Sequence, residues 1–247
     1  FGSTNNVSLV KSQHVESNLM ISTAQIAIAP TPWDWNGGTL ALRTGYRHQK
    51  FNYGNFTANH ANLNDLDFDV STFFVQSRYQ FNEHWIASFN LDYNRLLSAS
   101  HSAPDTKNYG EFYTEYAPSL SIDRFFKTSE RSYLSLSAGT CWHVTHADDP
   151  NTNHNDRLDQ SITAAWLYQV HDRVAVQPFY RIQASEYLRI SRKDILQTAG
   201  VSVAFIIHPS ASLRVFANFE TRESTNSTVS DYQKFDAGTG VSLLIRF

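Results

Sequence analysis

The best candidates for catalytic or metal-binding residues are His143, His146 and Ser137. His143 and His146 are three residues apart, which puts their side chains on opposite faces of a strand and prevents them from sharing a metal ion. Ser137 lies on the same face as His143, as a nucleophile and its base would. Because six residues of extended chain span roughly 20 Å, a hydrolase would need a partner from a neighbouring strand.

The segment after His146 is the first candidate for a cation site. Asp149, Asn151 and Asn153 step by two residues, as the first ligands of a calcium-binding loop do. The glycine that such a loop requires is missing, and its twelfth position is Gln160 instead of a glutamate. Since Asn and Asp also favour turns in their own right, the sequence favours a solvated polar loop without a bound ion.

A second acidic group, Asp65, Asp67 and Asp69, enters a predicted strand from a long polar segment. Like charges at adjacent positions on one face repel each other, which gives a divalent cation a reason to bind there. The alternative, a solvated strand end, requires no ligand and is the favoured interpretation. The sequence contains no glycine-rich phosphate loop, no CxxC and no HExxH motif, and we predict no cofactor apart from a loop cation of this kind.

Composition limits the fold class more sharply than these residues do. The 247 residues include 17% charged and 14% aromatic side chains, whereas an ordinary soluble domain has about 25% charged residues. The net charge of −3 offers no basic surface for nucleic acid, and the single Cys141 excludes an internal disulfide. Mean hydropathy is −0.39, and no apolar run approaches the roughly 18 residues of a transmembrane helix.

Alternation of apolar and polar residues runs through almost the whole chain and predicts long strands. In the last one, Val241, Leu243, Ile245 and Phe247 share one face. The predicted strands span residues 18–29, 39–50, 67–81, 85–97, 109–123, 132–146, 157–170, 174–187, 195–207, 212–222 and 235–247, with a weaker one at 6–14. These make about twelve strands, within a range of roughly 10 to 14, and most are long enough to cross a bilayer.

Three positions depart from a regular ladder and predict bulges. The strand at 67–81 changes phase at Phe73 and Phe74, and one extra residue in a strand would produce such a change. Pro118 and Pro178 cannot donate a hydrogen bond to a neighbouring strand, so we expect a bulge at each of them as well.

Connections between the predicted strands alternate in length. Short ones lie at 82–84, 127–131, 171–173 and 208–210, and long polar ones at 51–66, 98–108, 147–156, 188–194 and 223–233. A soluble β-sandwich, the alternative fold, has no reason to sort its loops in this way, whereas membrane barrels do. We therefore expect an all-β fold, a closed antiparallel up-and-down transmembrane β-barrel. It would form a single domain over residues 1–247, with a strand-poor N-terminal segment at about 1–17.

On these features the chain resembles the outer-membrane β-barrel proteins of Gram-negative bacteria. The resemblance is architectural and covers nearly the whole length. Its sharpest element is the final strand ending in Phe247, which looks like the terminal signal read by the barrel-assembly machinery. The resemblance implies a location in the bacterial outer membrane. It also implies contact with the lipid bilayer and lipopolysaccharide, handling by the assembly machinery during biogenesis, and no nucleic-acid partner.

Aromatic residues close to the predicted strand ends fit the girdles that mark both membrane interfaces of such barrels. We predict that Trp85, Trp142, Trp166 and Phe247 lie at these interfaces, with Trp85 and Phe247 near the short turns and Trp142 near the long loops. In a soluble β-domain the same residues would instead form the core.

The polar faces of the predicted strands carry most of the charges. An unpaired charge facing lipid would cost several kcal/mol, so these faces should line the barrel interior. The predicted lumen-lining residues are Arg43, Arg47, Arg78, Asp92, Glu115, Arg157, Asp159, Arg181, Arg214, Glu220, Arg222 and Asp236.

Charges of both signs inside a barrel leave two functions open. They could line a narrow porin-like channel that transports small hydrophilic solutes, or they could pair across the lumen and close it. A closed barrel would serve as a membrane scaffold that anchors a partner. Twelve strands lie between the eight that side chains fill and the 16–18 that leave a clear channel, so size does not decide. The sequence favours the channel over the scaffold, places an outer-membrane hydrolase third, and predicts that the protein is not an enzyme.

Overall fold

A computed structural model describes residues 2–5, 16–54, 68–98, 111–146, 155–208, 211–226 and 231–243. In these ranges the chain forms the strands β1 (Gly2–Asn5), β2 (Glu16–Ile28), β3 (Trp33–Trp35), β4 (Gly38–Gly54), β5 (Phe68–Gln80), β6 (Trp85–Ser98), β7 (Glu111–Ser129), β8 (Ser132–His146), β9 (Arg157–His171), β10 (Val174–Tyr187), β11 (Lys193–His208), β12 (Ala211–Ser224) and β13 (Tyr232–Leu243). Within the described part of the chain, no helix is long and apolar enough to span a membrane.

Antiparallel pairing runs around these strands in a ring. From β4 to β13 each strand pairs with the next one along the chain. The ring then continues from β13 to β1, from β1 to β2 and from β2 back to β4. It therefore contains twelve strands, while the short β3 folds back onto the start of β4. Closure of the ring pairs the backbone N–H and C=O groups of the strand edges, which the hydrocarbon core of a membrane could not do. The predicted antiparallel barrel is confirmed.

The strand bounds follow the predicted alternation, and β8 and β10 have the expected limits. At the N-terminus the outcome differs, since a four-residue strand lies at Gly2–Asn5, inside the segment expected to be poor in strands. The weak strand predicted at 6–14 lies outside the described residues. Strand β7 also continues to Ser129, beyond the predicted limit at residue 123, because it stays paired with β8 down to their shared turn.

All three predicted bulges are wrong. Phe73 and Phe74 keep an unbroken register with both neighbouring strands. Phe73 points outward with 59% exposure, whereas Phe74 points inward and is 3% exposed. At Pro118 and Pro178 the ladder on one side loses two partner pairs and then resumes in the same register. A missing N–H thus removes a hydrogen bond locally without requiring an extra residue.

The outward face of the ring is apolar and exposed. Large apolar side chains that are 40–60% exposed on this face include Phe73, Tyr116, Leu120, Ile122, Val144, Ile162 and Phe219. Among the described residues the buried apolar side chains are few, namely Phe74, Ile86, Ala117 and Ala165. A soluble sandwich would bury its apolar rows in a core, so this distribution fits a sheet whose outer face is solvated by lipid.

Three inward aromatic rings lie against glycines on the neighbouring strand. The directly opposed pairs are Gly45 with Phe74, Gly200 with Phe179, and Gly238 with Phe216. A Cβ atom at any of these glycines would lie within 3 Å of the facing ring, so only glycine leaves room for the ring to lie flat. Such aromatic cover of a strand glycine helps to fix the register of the two strands.

Candidate functional site

The inward face of the barrel is the candidate functional site because it collects the charged residues of the strands. By strand register, the twelve residues predicted to line the lumen all lie on the face opposite the exposed apolar rows. Eleven of them fall into two groups that differ in burial and in pairing, while the guanidinium group of Arg222 lies over the Tyr232 ring, 4.5 Å from its centre. Their contact with a transported solute stays a prediction.

The first group contains a buried chain of contacts across four strands. Glu115 Oε1 lies 3.1 Å from His143 Nδ1, and Asp159 Oδ2 lies 3.1 Å from His143 Nε2. Arg157 Nε donates to Asp159 Oδ1 at 3.2 Å, and Asn94 Nδ2 donates to Glu115 Oε1 at 3.0 Å. Both carboxylates are 7% exposed, so each charge is held close to an opposite charge and away from bulk water.

Further ion pairs extend this group around the barrel wall. Arg47 lies 3.1 Å from Asp92, and Lys234 lies 2.9 Å from Asp236 and 3.5 Å from Glu220. Arg192 pairs with Asp194, which is 1% exposed. We call this set the paired belt, and it comprises Arg47, Asp92, Glu115, His143, Arg157, Asp159, Arg192, Asp194, Glu220, Lys234 and Asp236. Its residues lie in the middle of the strands and towards the long loops.

The second group consists of four arginines that face inward and yet remain exposed. We call Arg43, Arg78, Arg181 and Arg214 the open arginines. Three of them lie in the half of the barrel near the short turns, and Arg181 lies at the middle of β10. Within the described part of the chain, none of the four has a carboxylate oxygen within 4.0 Å. Space therefore remains open beside these guanidinium groups.

The loop-side ends of β8, β9 and β10 are joined through Asp156, which precedes β9. Its Oδ1 accepts hydrogen bonds from the backbone N–H of Thr145 at 2.7 Å and from the Thr145 hydroxyl at 2.6 Å. Arg189 donates to Oδ2. Burial alone would raise the pKa of Asp156, but the bonds from Thr145 and Arg189 outweigh it and hold the pKa below its usual range.

The hydrolase interpretation finds no support in the surroundings of His143. Both ring nitrogens lie next to carboxylates, and Ser137 lies opposite Asp123 and Thr163 in the neighbouring strands. His146 points to the outward face and is exposed. Across the described ranges, no three His, Cys, Asp or Glu side chains form a metal-binding group.

The predicted loop sites lie mostly outside the described residues. This holds for Asp65, Asp67, Asp149, Asn151 and Asn153. Asp69 is described, is 7% exposed, and lies 3.9 Å from His48 Nε2.

The predicted interface aromatics lie near strand ends where they are described. Trp85 begins β6, and Arg124 lies 5.0 Å from its ring. Trp142 is 40% exposed near the loop end of β8, and Trp166 is 46% exposed and stacks on Tyr168 at 5.6 Å. Phe247 lies outside the described residues. The role of these residues at the membrane interfaces stays a prediction.

Sequence reasoning missed several members of the paired belt. His143 was considered for metal binding and hydrolysis, although its parity already places it on the charged face. Arg192 and Asp194 fell in a predicted loop, whereas Asp194 belongs to β11 and faces inward. Lys234 stood just outside the predicted last strand, which in fact begins at Tyr232. Extending the alternation by one residue at the loop end of each of these two strands would have found Asp194 and Lys234.

Known proteins resemble this chain in structure but not detectably in sequence. No protein-family model matches the sequence, and no curated protein is detectably similar to it in sequence. The beta domain of the Bordetella autotransporter BrkA is similar in structure, with a TM-score of 0.60, 12% sequence identity, and coverage of 98% of this chain and 96% of that one. An outer-membrane channel from Pseudomonas putida F1 has a TM-score of 0.55, 12% identity, and coverage of 98% and 92%.

These likenesses, together with the closed ring and its apolar outer face, define the class of the protein. The chain has the fold of the outer-membrane β-barrel proteins of Gram-negative bacteria, a closed antiparallel barrel with an apolar outward face. At 12% identity the neighbours share the fold, and the chemistry of the interior has to be argued from this chain's own residues.

Proposed function

We propose that the barrel is a narrow channel for small hydrophilic solutes. The observation that carries the proposal is the exposure of the open arginines on the inward face. Side chains that filled the lumen throughout would bury these guanidinium groups, as Glu115, Asp159 and Asp194 are buried in the paired belt. A charged group that keeps its water inside a barrel indicates an aqueous space there.

The paired belt supports the proposal that the channel is narrow. Its carboxylates and cations are paired with one another and at least partly buried, so the wall at that level presents few free charges. Twelve strands enclose less space than the 16–18 of wide channels. A solute would therefore pass a narrow level towards the long loops and a more open level towards the short turns.

The second candidate is a barrel with a closed lumen that acts as a membrane scaffold, although the ion pairs of the belt join strands no more than two places apart along the wall. Ion pairs that continued across the lumen would close it. The two candidates differ in one measurable property, since only the channel conducts ions through a single molecule. Hydrolysis is the least supported function, because His143 lies between two carboxylates and Ser137 does not lie opposite it.

Single-channel recording in planar bilayers, combined with the only cysteine of the chain, tests the proposal. Cys141 faces inward opposite Asp159, two residues from His143. We expect unitary openings, and we expect a membrane-impermeant, negatively charged methanethiosulfonate reagent to reduce the unitary current when it adds a sulfonate at Cys141. The Cys141→Ser variant should open normally and ignore the reagent.

A matched control moves the thiol by one residue to the outward face. Thr140→Cys in the Cys141→Ser background presents a thiol towards lipid, so the reagent should leave its current unchanged. A wild-type protein that inserts and never opens would contradict the channel and favour the scaffold. Openings of wild type that ignore the reagent would show that ions do not pass the inward face at Cys141.

A further inference from the structure

The inward charges are divided unequally along the barrel. In the paired belt every arginine and lysine lies within 4.0 Å of a carboxylate, so the positive and negative charges largely cancel. Nearer the short turns, the described acidic strand residues on the inward side are Asp123 in β7 and Asp34 in β3, and no described cation pairs with either of them. The open arginines therefore leave this level of the lumen positively charged.

The contacts of the open arginines leave their charge available. Arg214 Nη2 donates to the Ser202 hydroxyl at 3.1 Å, and Arg181 donates to the side-chain oxygen of Gln183. The Arg43 guanidinium lies 5.5 Å from the centre of the Phe74 ring. These partners are neutral, so they position the side chains without cancelling the charge. A guanidinium has five N–H donors, and each of these contacts occupies only part of that capacity.

Strand order brings the four positive charges to the lumen from opposite walls. Arg43 and Arg78 lie on the adjacent strands β4 and β5. Arg181 lies on β10, which is the sixth strand from β4 in the twelve-strand ring, and Arg214 lies on β12. Strands six places apart in a ring of twelve face each other, so the two pairs of arginines point towards a common axis.

We infer that the open arginines form an anion-binding level in the lumen, at which the barrel selects small solutes that carry carboxylate or phosphate groups. The inference rests on the proposed channel function and names its substrate class. The planar guanidinium matches the two oxygens of a carboxylate or phosphate, and it stays charged at any physiological pH. Water inside a low-dielectric wall also focuses the field of several like charges and concentrates counterions there.

The level of the paired belt has a different role under this inference. Because its charges cancel, it neither attracts nor repels anions strongly and mainly limits size. Selection by charge then takes place where the open arginines lie, from the middle of β10 to the short-turn side. A solute that is both small and anionic passes both levels, whereas a small cation is repelled at the second one.

Reversal potentials across a KCl gradient in planar bilayers test the inference directly. We expect wild type to prefer chloride over potassium. The fourfold variant Arg43→Gln, Arg78→Gln, Arg181→Gln and Arg214→Gln should lower the chloride-to-potassium permeability ratio by roughly threefold or more. The preference of wild type should weaken at high salt, because the field of exposed charges is screened.

Two variants serve as controls for charge and for position. Replacing the same four arginines with lysine keeps the charge and should keep the chloride preference, which also guards against a change in barrel shape. Arg124→Gln removes one arginine from the outward face in the same half of the barrel, where it contacts Trp85 and Phe126, and should leave selectivity unchanged. Folding of each variant is checked by its heat-dependent mobility in gels.

Inorganic phosphate is the probe for binding. At millimolar concentration we expect brief interruptions of the chloride current in wild type that the fourfold glutamine variant loses. Openings with cation preference, or a fourfold glutamine variant with unchanged selectivity and unchanged phosphate interruptions, would overturn the inference and leave the channel standing. A complete lack of openings in wild type would instead overturn the proposed function on which the inference rests.

Discussion

The paired belt and the open arginines both place arginines on the inward face of the same sheet. The arginines of the belt are paired with carboxylates, whereas the open arginines are not. Asp159 is buried and paired with the half-buried Arg157, whereas Arg181 and Arg214 are exposed and have neutral partners. A buried charge is tolerated only when an opposite charge lies beside it, and an exposed one keeps its hydration without a partner. The belt therefore contributes to the integrity of the wall, and the open arginines are free to act on a solute.

The largest expected effect separates the two groups by stability. Asp159→Ala removes the buried carboxylate beside His143 and Arg157 and leaves these two partly buried side chains without it, so we expect a loss of about 3–5 kcal/mol in the free energy of unfolding. Arg181→Ala should change it by no more than about 0.5 kcal/mol. Urea unfolding of barrels folded into lipid vesicles, followed by tryptophan fluorescence, measures both. Equal losses would remove the distinction between the groups.

We expect a smaller effect on stability at Gly45, which lies between the two groups. Gly45 lies between Arg43 and Arg47, and a Cβ there would clash with the backbone oxygen of Ile26 and lie 2.7 Å from Phe74 Cζ. We expect Gly45→Ala to cost about 1–3 kcal/mol through overpacking.

The matched control for Gly45 is another glycine of the strands. Gly240 has open space where a Cβ would lie, so Gly240→Ala should be neutral to within about 0.5 kcal/mol. The same urea titration compares the two variants. A neutral Gly45→Ala would show that the Phe74 ring and the backbone of β2 move aside easily, and that glycine is not required between the two groups.

Acidification should destabilise the loop-side ends of the strands by protonating Asp156. We expect this effect on stability to be smaller than those of Asp159→Ala and Gly45→Ala. The pKa of Asp156 is lower in the folded protein than its ordinary value of about 3.9. Its contribution to stability is therefore fully present above that ordinary value and is lost as the pH falls through the lower, folded value.

Unfolding measured between pH 7 and pH 2.5 tests this direction. The stability difference between wild type and Asp156→Asn should shrink as the pH falls below about 4. Asp172→Asn, in an exposed turn where the side chain is 83% exposed, should follow wild type throughout. A difference that grows on acidification would contradict the assigned direction.

Much of the fold could be predicted because each strand carries its own two-residue period. The limits of β8 and β10 follow from the alternation alone, and so does the outward position of Ile162 and the inward position of Asp159. The predicted bulges were wrong because a sequence shows which residue breaks a pattern but not what lies opposite it. Phe74 faces inward in perfect register because its partner in β4 is Gly45.

The candidate site could be predicted only in part for a similar reason. Parity placed Arg47, Glu115 and Arg214 on one face, but it assigned no partner to any of them. The chain separates Arg47 from Asp92 by 45 residues, and it separates Arg189 from Asp156 by 33. Which charge meets which depends on the register of strands that are distant in sequence.

The sequence by itself determined that this protein has long amphipathic strands, a lipid-facing apolar half and a charged half turned inward, because side chains alternate at every residue of a strand. Only the tertiary structure decided which inward charges cancel and which stay open. Pairing of consecutive strands, with closure of the ring through β1 and β2, fixes the neighbours and the register of every strand, and these decide whether a carboxylate comes within reach of an arginine. The electrostatic character of the lumen thus follows from the pairing of strands and not from the count of charges.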